Sequence, residues 1–289
     1  MKILRQSGKN ALYTSYSPGN LLPFKTWLSY SLLAHIHLHA KSQQRFADSA
    51  RSGASGSSVK VSRLRLEGLV ASLLASVKRL RWKYADTEWG GYYDDTNYVD
   101  ESMRHKEAVV AKFLEKCSAE GNSIAADFGA NTGKFSRLAA DQGFFVLSHD
   151  VDEVAVDKNY REMSRRAEES ILPLLLDLTN PSPALGWASA ERSSFIERHR
   201  VDVGMALAII DHITISNNVP LDSVAQLSAT ICKSLIIEFV PKNDSQVERL
   251  LATREDVFPD YNQADFETTF QNYFRIMDIV FSQSKMSRL

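Results

Sequence analysis

Two cysteines in 289 residues are too few for a disulfide framework, and neither Cys117 nor Cys232 stands in a CxxC or Cys/His spacing that would hold structural zinc. Reduced, buried thiols in a cytoplasmic protein are the expectation. Long hydrophobic runs are also missing. The opening MKILRQSGKN lacks the apolar core of a signal peptide, and no stretch reaches the ~20 uncharged apolar residues that a membrane span needs. The nearest imitation, Trp27 to Ala40, is interrupted by His35, His37 and His39. An i,i+4 pair among them could touch a metal, but no neighbouring acid or cysteine completes a set, so no metal site is expected. Glycine (13) and proline (8) are modest, and with 44% hydrophobic and 24% charged residues the chain is neither collagen-like nor wholly disordered.

Net charge is scarce too, at -1, but the total hides a division. Residues 1–83 hold 14 of the 34 Lys and Arg and only 2 of the 35 Asp and Glu, a surplus of +12 against -13 for the remainder. A basic front and an acidic back can mark an anionic partner. They can equally mark two parts of one protein that dock. Docking is preferred, because the stripe Leu66, Leu69, Val70, Leu73, Leu74 and Val77 calls for burial and no interleaved aromatics accompany the charges. RNA binding and contact with a membrane surface are the alternatives.

Sequence texture divides the chain. A helix is expected from Leu21 to about Ala47, then a Gly/Ser linker over 51–58, then the basic amphipathic helix. The stretch WGGYYDDTNY, Trp89 to Tyr98, precedes a further helix with Val110, Phe113, Leu114 and Cys117 on one side. Residues 1–100 are therefore read as a helical, basic cap, and 101–289 as a second domain. Beyond Ser123, strands are expected at Ile124–Phe128, Phe144–His149, Ile171–Leu176, Val201–Ile210, Ser234–Val240 and Phe274–Ser282, with helical segments between them. Alternation of this kind predicts an α/β fold, a doubly wound and mostly parallel sheet with helices on both faces, plus the N-terminal helical extension. Ligands of such folds sit at the carboxyl ends of the strands.

The loop after the first strand reads IAADFGANTGKFSRLAA. Asp127 precedes Gly129 and Gly133, and glycine permits positive φ and close approach of a ligand. Asp150 follows Gly129 by 21 residues, the spacing at which an acid meets ribose hydroxyls in nucleotide-binding folds. A dinucleotide fingerprint would need glycine at position 131, where Asn131 stands. Asp127 as a turn residue, and Asp150 or Asp152 as a helix cap, are the plainer readings.

The D-x-G-x-N-T-G pattern resembles motif I of class I S-adenosylmethionine-dependent methyltransferases, with Asn131 in place of the usual second glycine. The resemblance runs from about Ala108 to Leu289. It implies a Rossmann-like catalytic domain that binds S-adenosylmethionine through Asp127, Gly129, Ala130, Asn131 and Gly133, with Asp150 and Val151 at the ribose and Asp177 and Leu178 at the adenine. LDLTNPSPALGW, ALAIIDH, IIEFVPKND, REDVFPDY and the N-terminal YSPGNLLPFKTWLSYSLLAHIHLHA further resemble a bacterial, nodulation-type branch. One departure is the family's closing β-hairpin, for which too little chain remains.

Methyl transfer to a nucleophile chiefly needs alignment and, for some acceptors, a base. His212, near the end of the fourth strand, is the first candidate for that base, and Glu238 the second. Packing against the cofactor or capping a turn is the plainer role for His212. Asp244 is read as a helix cap. Asn180-Pro181-Ser182-Pro183 differs from the amino-methyltransferase motif in following the third strand and lacking an aromatic. A small-molecule acceptor, or a glycan or lipid-type oxygen or nitrogen nucleophile, is expected. Nucleic-acid methylation and non-catalytic nucleotide binding are the competing functions.

Overall fold

The computed structural model describes residues 62–79, 87, 100–252 and 255–280. The expected helix over 21–47, the 51–58 linker, the three clustered histidines and the aromatic stretch at 89–98 lie outside them. The chain divides into two units, residues 1–83 and 84–289. Elements are numbered here over the described residues.

In the first unit, α1 (Arg63–Arg79) is the basic helix, with Lys78 and Arg79 in its last turn, where cations complement the helix dipole. Its six-residue apolar stripe, Leu66 to Val77, is exposed throughout, by 41% to 63%.

The second unit opens with α2 (Asp100–Ala119) and continues as β1 (Ile124–Phe128), α3 (Lys134–Asp141), β2 (Phe145–Asp150), α4 (Glu153–Arg166) and β3 (Ile171–Leu175). A long connection carrying the short helix α5 (Phe195–Arg198) leads to β4 (Val201–Ala206). A π-helical turn (His212–Ser216), α6 (Leu221–Ile231), β5 (Cys232–Ile237), α7 (Ser245–Leu251) and α8 (Gln263–Gln271) complete it. The strands form one sheet in the order β3-β2-β1-β4-β5, and every pairing is parallel. This is a Rossmann-like α/β architecture. The chain steps outward from β1 to β3 and then returns to β4, so the loops after β1 and β4 flank the point where the order reverses.

Strand alternation sorts the core onto two faces. Ala125, Val146, Val203 and Met205 pack with Val110 and Leu114 of α2 and Phe135 and Ala139 of α3. On the other face Ala126 and Phe128 meet Phe195, Ile231 and Cys232. A third cluster joins Ile210, Ile215 and Val224 to Val247, Tyr261, Phe266 and Phe270. The predicted α2 stripe is confirmed by buried Val110 and Leu114, with Phe113 and Cys117 packed alongside. Cys117 is only half-buried, whereas burial pushes the Cys232 thiol up to about 12.

Two expectations change. The apolar run VDVGMALAII does not stay extended. The strand ends at Ala206, Ala208 takes φ 53°, and Ile210 turns into the third cluster. Apolar continuity here reflects two successive buried elements. The segment Phe274–Ser282 forms no strand over its described part, residues 274–280. Phe274 stacks on Phe270 and Asp278 pairs with Lys116 at 3.0 Å, while Met277, Ile279 and Val280 remain exposed. Strand-forming residues without a partner strand do not make a ladder. The described sheet therefore has five strands. Among the described residues no helix is long and apolar enough to cross a membrane.

Candidate functional site

The loop between β1 and α3 is built on left-handed backbone. Gly129, Asn131 and Gly133 have φ of 75°, 50° and 81°. A Cβ on Gly129 would lie 2.8 Å from Ile209 Cδ1, which brings the loops after β1 and β4 into contact. A Cβ on Gly133 would lie 2.3 Å from Asn159 Oδ1. Asn131 fills the position where a second glycine was expected because asparagine tolerates the left-handed region better than other side chains. Its Oδ1 accepts the Thr132 N–H at 2.8 Å, which further fixes the turn.

Asp150, at the end of β2, is buried and close to this loop. Its Oδ2 accepts the Asn131 N–H at 2.7 Å and its Oδ1 accepts the Asp152 N–H at 2.8 Å. Burial pushes the carboxyl up, and the backbone N–H groups of Asp152, Asn131 and Val151 oppose that shift. The helix cap is Asp152, which accepts from the N–H groups of Val154 and Ala155. Asp150 is thereby separated from the capping role. Val151 between them is 59% exposed, and Ala130 is buried beneath the loop.

Asp127 is the penultimate residue of β1, and its side chain is directed toward α3. Ser136 Oγ donates to its Oδ2 at 2.7 Å and also lies 2.8 Å from Ser148 Oγ, which accepts from Asn159 Nδ2 at 2.8 Å. Arg137 extends the network to the Thr132 and Gly133 carbonyls and to Asn159 Oδ1, and pairs with Glu168. Burial pushes the Asp127 carboxyl up to about 6, partly offset by Ser136. The loop is therefore braced from below by groups on α3, β2 and α4.

Asp177 lies on the exposed turn after β3, where its Oδ1 accepts the Thr179 N–H and hydroxyl at 2.8 and 2.6 Å. Leu178 is half-buried against the cluster around Phe128. Glu238 follows β5 by one residue, and its Oε2 is 2.6 Å from Lys106 Nζ of α2. Lys106 is itself buried and lies 5.2 Å from the Phe135 ring centre. His212 begins the π-helical turn with its side chain 27% exposed and its Nε2 3.4 Å from Asp211 Oδ2. Asp244 caps α7 by accepting the Gln246 N–H, as expected. Among the described residues no cluster of three or more His, Cys, Asp or Glu could hold a metal.

The structure thus brings Gly129, Asn131, Gly133 and Asp150 together at the reversal point, with Ile209 of the His212 loop against them. Sequence reading missed Lys106, Ser136, Ser148, Asn159 and Asp211. Each lies within an ordinary helical or strand pattern, and only Asp211, beside His212, offered a local signal.

No protein-family model matches the chain. It is 33% identical over 266 residues to nodulation protein NoeA of Rhizobium meliloti (strain 1021), an alignment covering 89% of this chain and 54% of that protein. The chain therefore spans about half the length of this relative. Among solved structures, the bifunctional kinase-methyltransferase WbdD overlaps 65% of this chain and 39% of its own, at 15% identity and a TM-score of 0.42. Magnesium protoporphyrin IX methyltransferase from Synechocystis PCC 6803, with bound SAH, overlaps 66% and 80%, at 16% identity and a TM-score of 0.40. By sequence, the chain is similar to a nodulation protein, as its own motifs implied.

Proposed function

We propose that this chain is an S-adenosylmethionine-dependent methyltransferase acting on a small molecule or on a glycan or lipid-type oxygen or nitrogen nucleophile. The observation that carries the reading is the 2.7 Å bond from the Asn131 N–H to buried Asp150, which ties a left-handed Gly129–Gly133 turn to an acid at the sheet's reversal point. The residues suit the cofactor. Each Asp150 oxygen accepts one backbone N–H, and a carboxylate retains further lone pairs for two ribose hydroxyls. Exposed Val151 offers an apolar surface for an adenine ring, and Asp177 Oδ2 and Leu178 would meet its edge. When bound, the cofactor supplies a methyl group activated on a sulfonium.

This chain's own part is to hold the two reactants in line and to take a proton where the acceptor carries one. Glu238, paired with Lys106, serves in this reading as an anchor between α2 and the end of β5. The proton falls to His212, the more exposed of the two candidates. Residues 1–100 are assigned to acceptor selection. Similarity to NoeA supports the bacterial setting and leaves the acceptor to experiment.

Calorimetric titration with S-adenosylmethionine, S-adenosylhomocysteine and NAD tests the reading. The two sulfur compounds should bind in preference to NAD. Asp150→Ala should weaken them at least about tenfold, since hydrogen bonds to a charged group contribute roughly 1.5–3 kcal/mol. Preference for NAD, or no binding at all, overturns the proposal, and unchanged affinity in Asp150→Ala removes the ribose assignment.

A further inference from the structure

The long connection between β3 and β4 is attached to the sheet at few points. Across residues 176–200 only Phe195 and His199 are buried, and the rest are exposed or half-buried. Its hydrogen bonds are spent within itself. The Ser182 carbonyl accepts the Phe195 N–H, the Ser182 hydroxyl accepts from Arg192 and Arg198, Leu185 bridges to Arg192, and Ser194 and Glu197 form a capping box. Among the described residues no hydrogen bond or ion pair joins 177–199 to the remainder of the chain. The outward bonds come at its two ends, where the Leu176 N–H donates to the Asp150 carbonyl at 2.8 Å and Arg200 donates to the Thr230 carbonyl. A segment bonded internally and tied at its ends can leave the sheet as a unit.

What anchors it is a cluster of four rings, two of them titratable. His199 stacks on Phe195 with ring centres 4.4 Å apart and meets His149 of β2 at 5.0 Å, while Phe128 of β1 stacks on His149 at 5.7 Å. Both ring nitrogens of His149 and Nε2 of His199 are buried without a hydrogen-bond partner. A neutral imidazole has one donor and one acceptor to satisfy, so water would stabilise these rings and this packing does not. A proton is resisted still more. Burial is the main cause that holds both rings neutral, with His199 adding to it at His149 and Arg198 at His199. The acids on the surrounding elements are engaged elsewhere: Asp127 of β1 with Ser136, Asp150 of β2 with two backbone N–H groups, and Glu197 of α5 with Ser194. Asp202 of β4 pairs with Lys233, Asp222 of α6 accepts from Tyr273, and Asp177 accepts from Thr179. β3 carries no charged residue, and burial keeps the Cys232 thiol of β5 neutral.

We propose that the connection over 177–199 is an acid-released flap, in which His149 and His199 take up two protons together as it swings away from the sheet between Leu176 and Arg200. Closed, the flap keeps both rings dry and neutral. Open, both meet water and regain the ordinary imidazole value near 6.5, so each proton bound below that pH favours the open form. The strands keep their own ladder and the flap its internal bonds, which makes the opening local. Asp177 and Leu178 stand at the start of the flap, and Leu178 packs in the core cluster that contains Phe128 and Phe195. The consequence for the cofactor rests on the methyltransferase reading: the closed flap is the form that binds the adenosyl group, and acid releases it.

The test is a titration of the full chain from about pH 7.5 to about pH 4, followed by ¹⁵N-histidine spectra for the rings and far-ultraviolet circular dichroism for the fold. His149→Phe and His199→Phe assign the two signals. Both rings should titrate at one midpoint with a slope of about 2, the mark of coupled uptake, while the dichroism holds, and either variant should bring the slope to about 1. Rings that stay neutral until the dichroism is lost, or that titrate one after the other, overturn the flap. Should a variant fail to fold, the wild-type slope and dichroism decide alone. S-adenosylhomocysteine keeps the two levels apart. At about 100 times its Kd it favours the closed form about 100-fold, which, shared between two protons, should lower the midpoint by about one pH unit. Binding at neutral pH with an unmoved midpoint overturns the link to the cofactor. No binding there fails the methyltransferase reading, and the ligand-free titration still decides the flap.

Discussion

Replacing Gly133 by Ala puts a single methyl group where the loop and its bracing network meet. The backbone there has φ 81°, which costs a non-glycine residue roughly 1–2 kcal/mol. The new Cβ would also lie 2.3 and 2.6 Å from the Asn159 amide and 2.7 Å from Arg137 Nη1. Those atoms cannot swing away freely, since Asn159 is buried and holds Ser148 while Arg137 holds two loop carbonyls and Glu168. Overpacking of this kind adds roughly 1–3 kcal/mol. The expected loss is therefore about 2–5 kcal/mol, a large part of the ~5–15 kcal/mol that stabilises an ordinary domain. Gly121→Ala is the control. Its φ is 85°, but nothing lies within 4 Å of the added carbon, so only the backbone cost of about 1–2 kcal/mol should remain. Urea unfolding followed by far-ultraviolet circular dichroism measures both. Equal losses in the two variants would refute the steric argument, because they would show that the Asn159–Arg137 brace yields without cost.

The buried His149 and His199, with ring centres 5.0 Å apart, should make the fold acid-sensitive. Burial lowers them to about 3 and about 4, so both are held neutral in the fold, and their contribution is complete above the unfolded value near 6.5 and lost as pH falls below it. His149 accounts for up to about 1.4 kcal/mol per pH unit below 6.5, and the more exposed His199 for less. His149→Phe should flatten the stability profile between pH 6.5 and 5, and parallel profiles would count against the assignment. Asp127, raised to about 6 by burial, works in the opposite direction, so the comparison must be with the variant and not with wild-type protein alone. Lys106→Met strands Glu238 without its 2.6 Å partner and should cost about 3 kcal/mol in urea unfolding. Adding Glu238→Gln should recover at least half of that loss, and absence of recovery would mean the pair does not act as a unit.

Much of this was legible from local pattern. β1 and α6 lie where alternation and helical spacing placed them, because a central parallel strand and an amphipathic helix each carry their burial in their own residues. The Gly129–Gly133 turn was legible because positive φ restricts residue choice, and Asp244 because caps do likewise. The end of β4 was not. Leu207 to Ile210 are as apolar as the strand before them, and only Ala208 at φ 53° marks the turn. Nor was the fate of 274–280, where strand-like residues follow the Phe239–Phe266–Phe270–Phe274 stack without a neighbouring strand.

The sequence by itself determined the alternating elements, the left-handed loop and the acid 21 residues beyond Gly129, since these depend on backbone preference and periodicity within short windows. Tertiary structure decided which polar groups face one another. Lys106 reaches Glu238 across 132 positions, Arg137 reaches Glu168 across 31, and Asn131 meets Asp150 across 19, pairings that exist only once the parallel sheet closes. Charge was the plainest case: the opening balance of -1 and its split at residue 83 described composition, whereas burial fixed which individual charges matter. The energy of a charge depends on its depth and its neighbours, and neither is a property of a window of sequence.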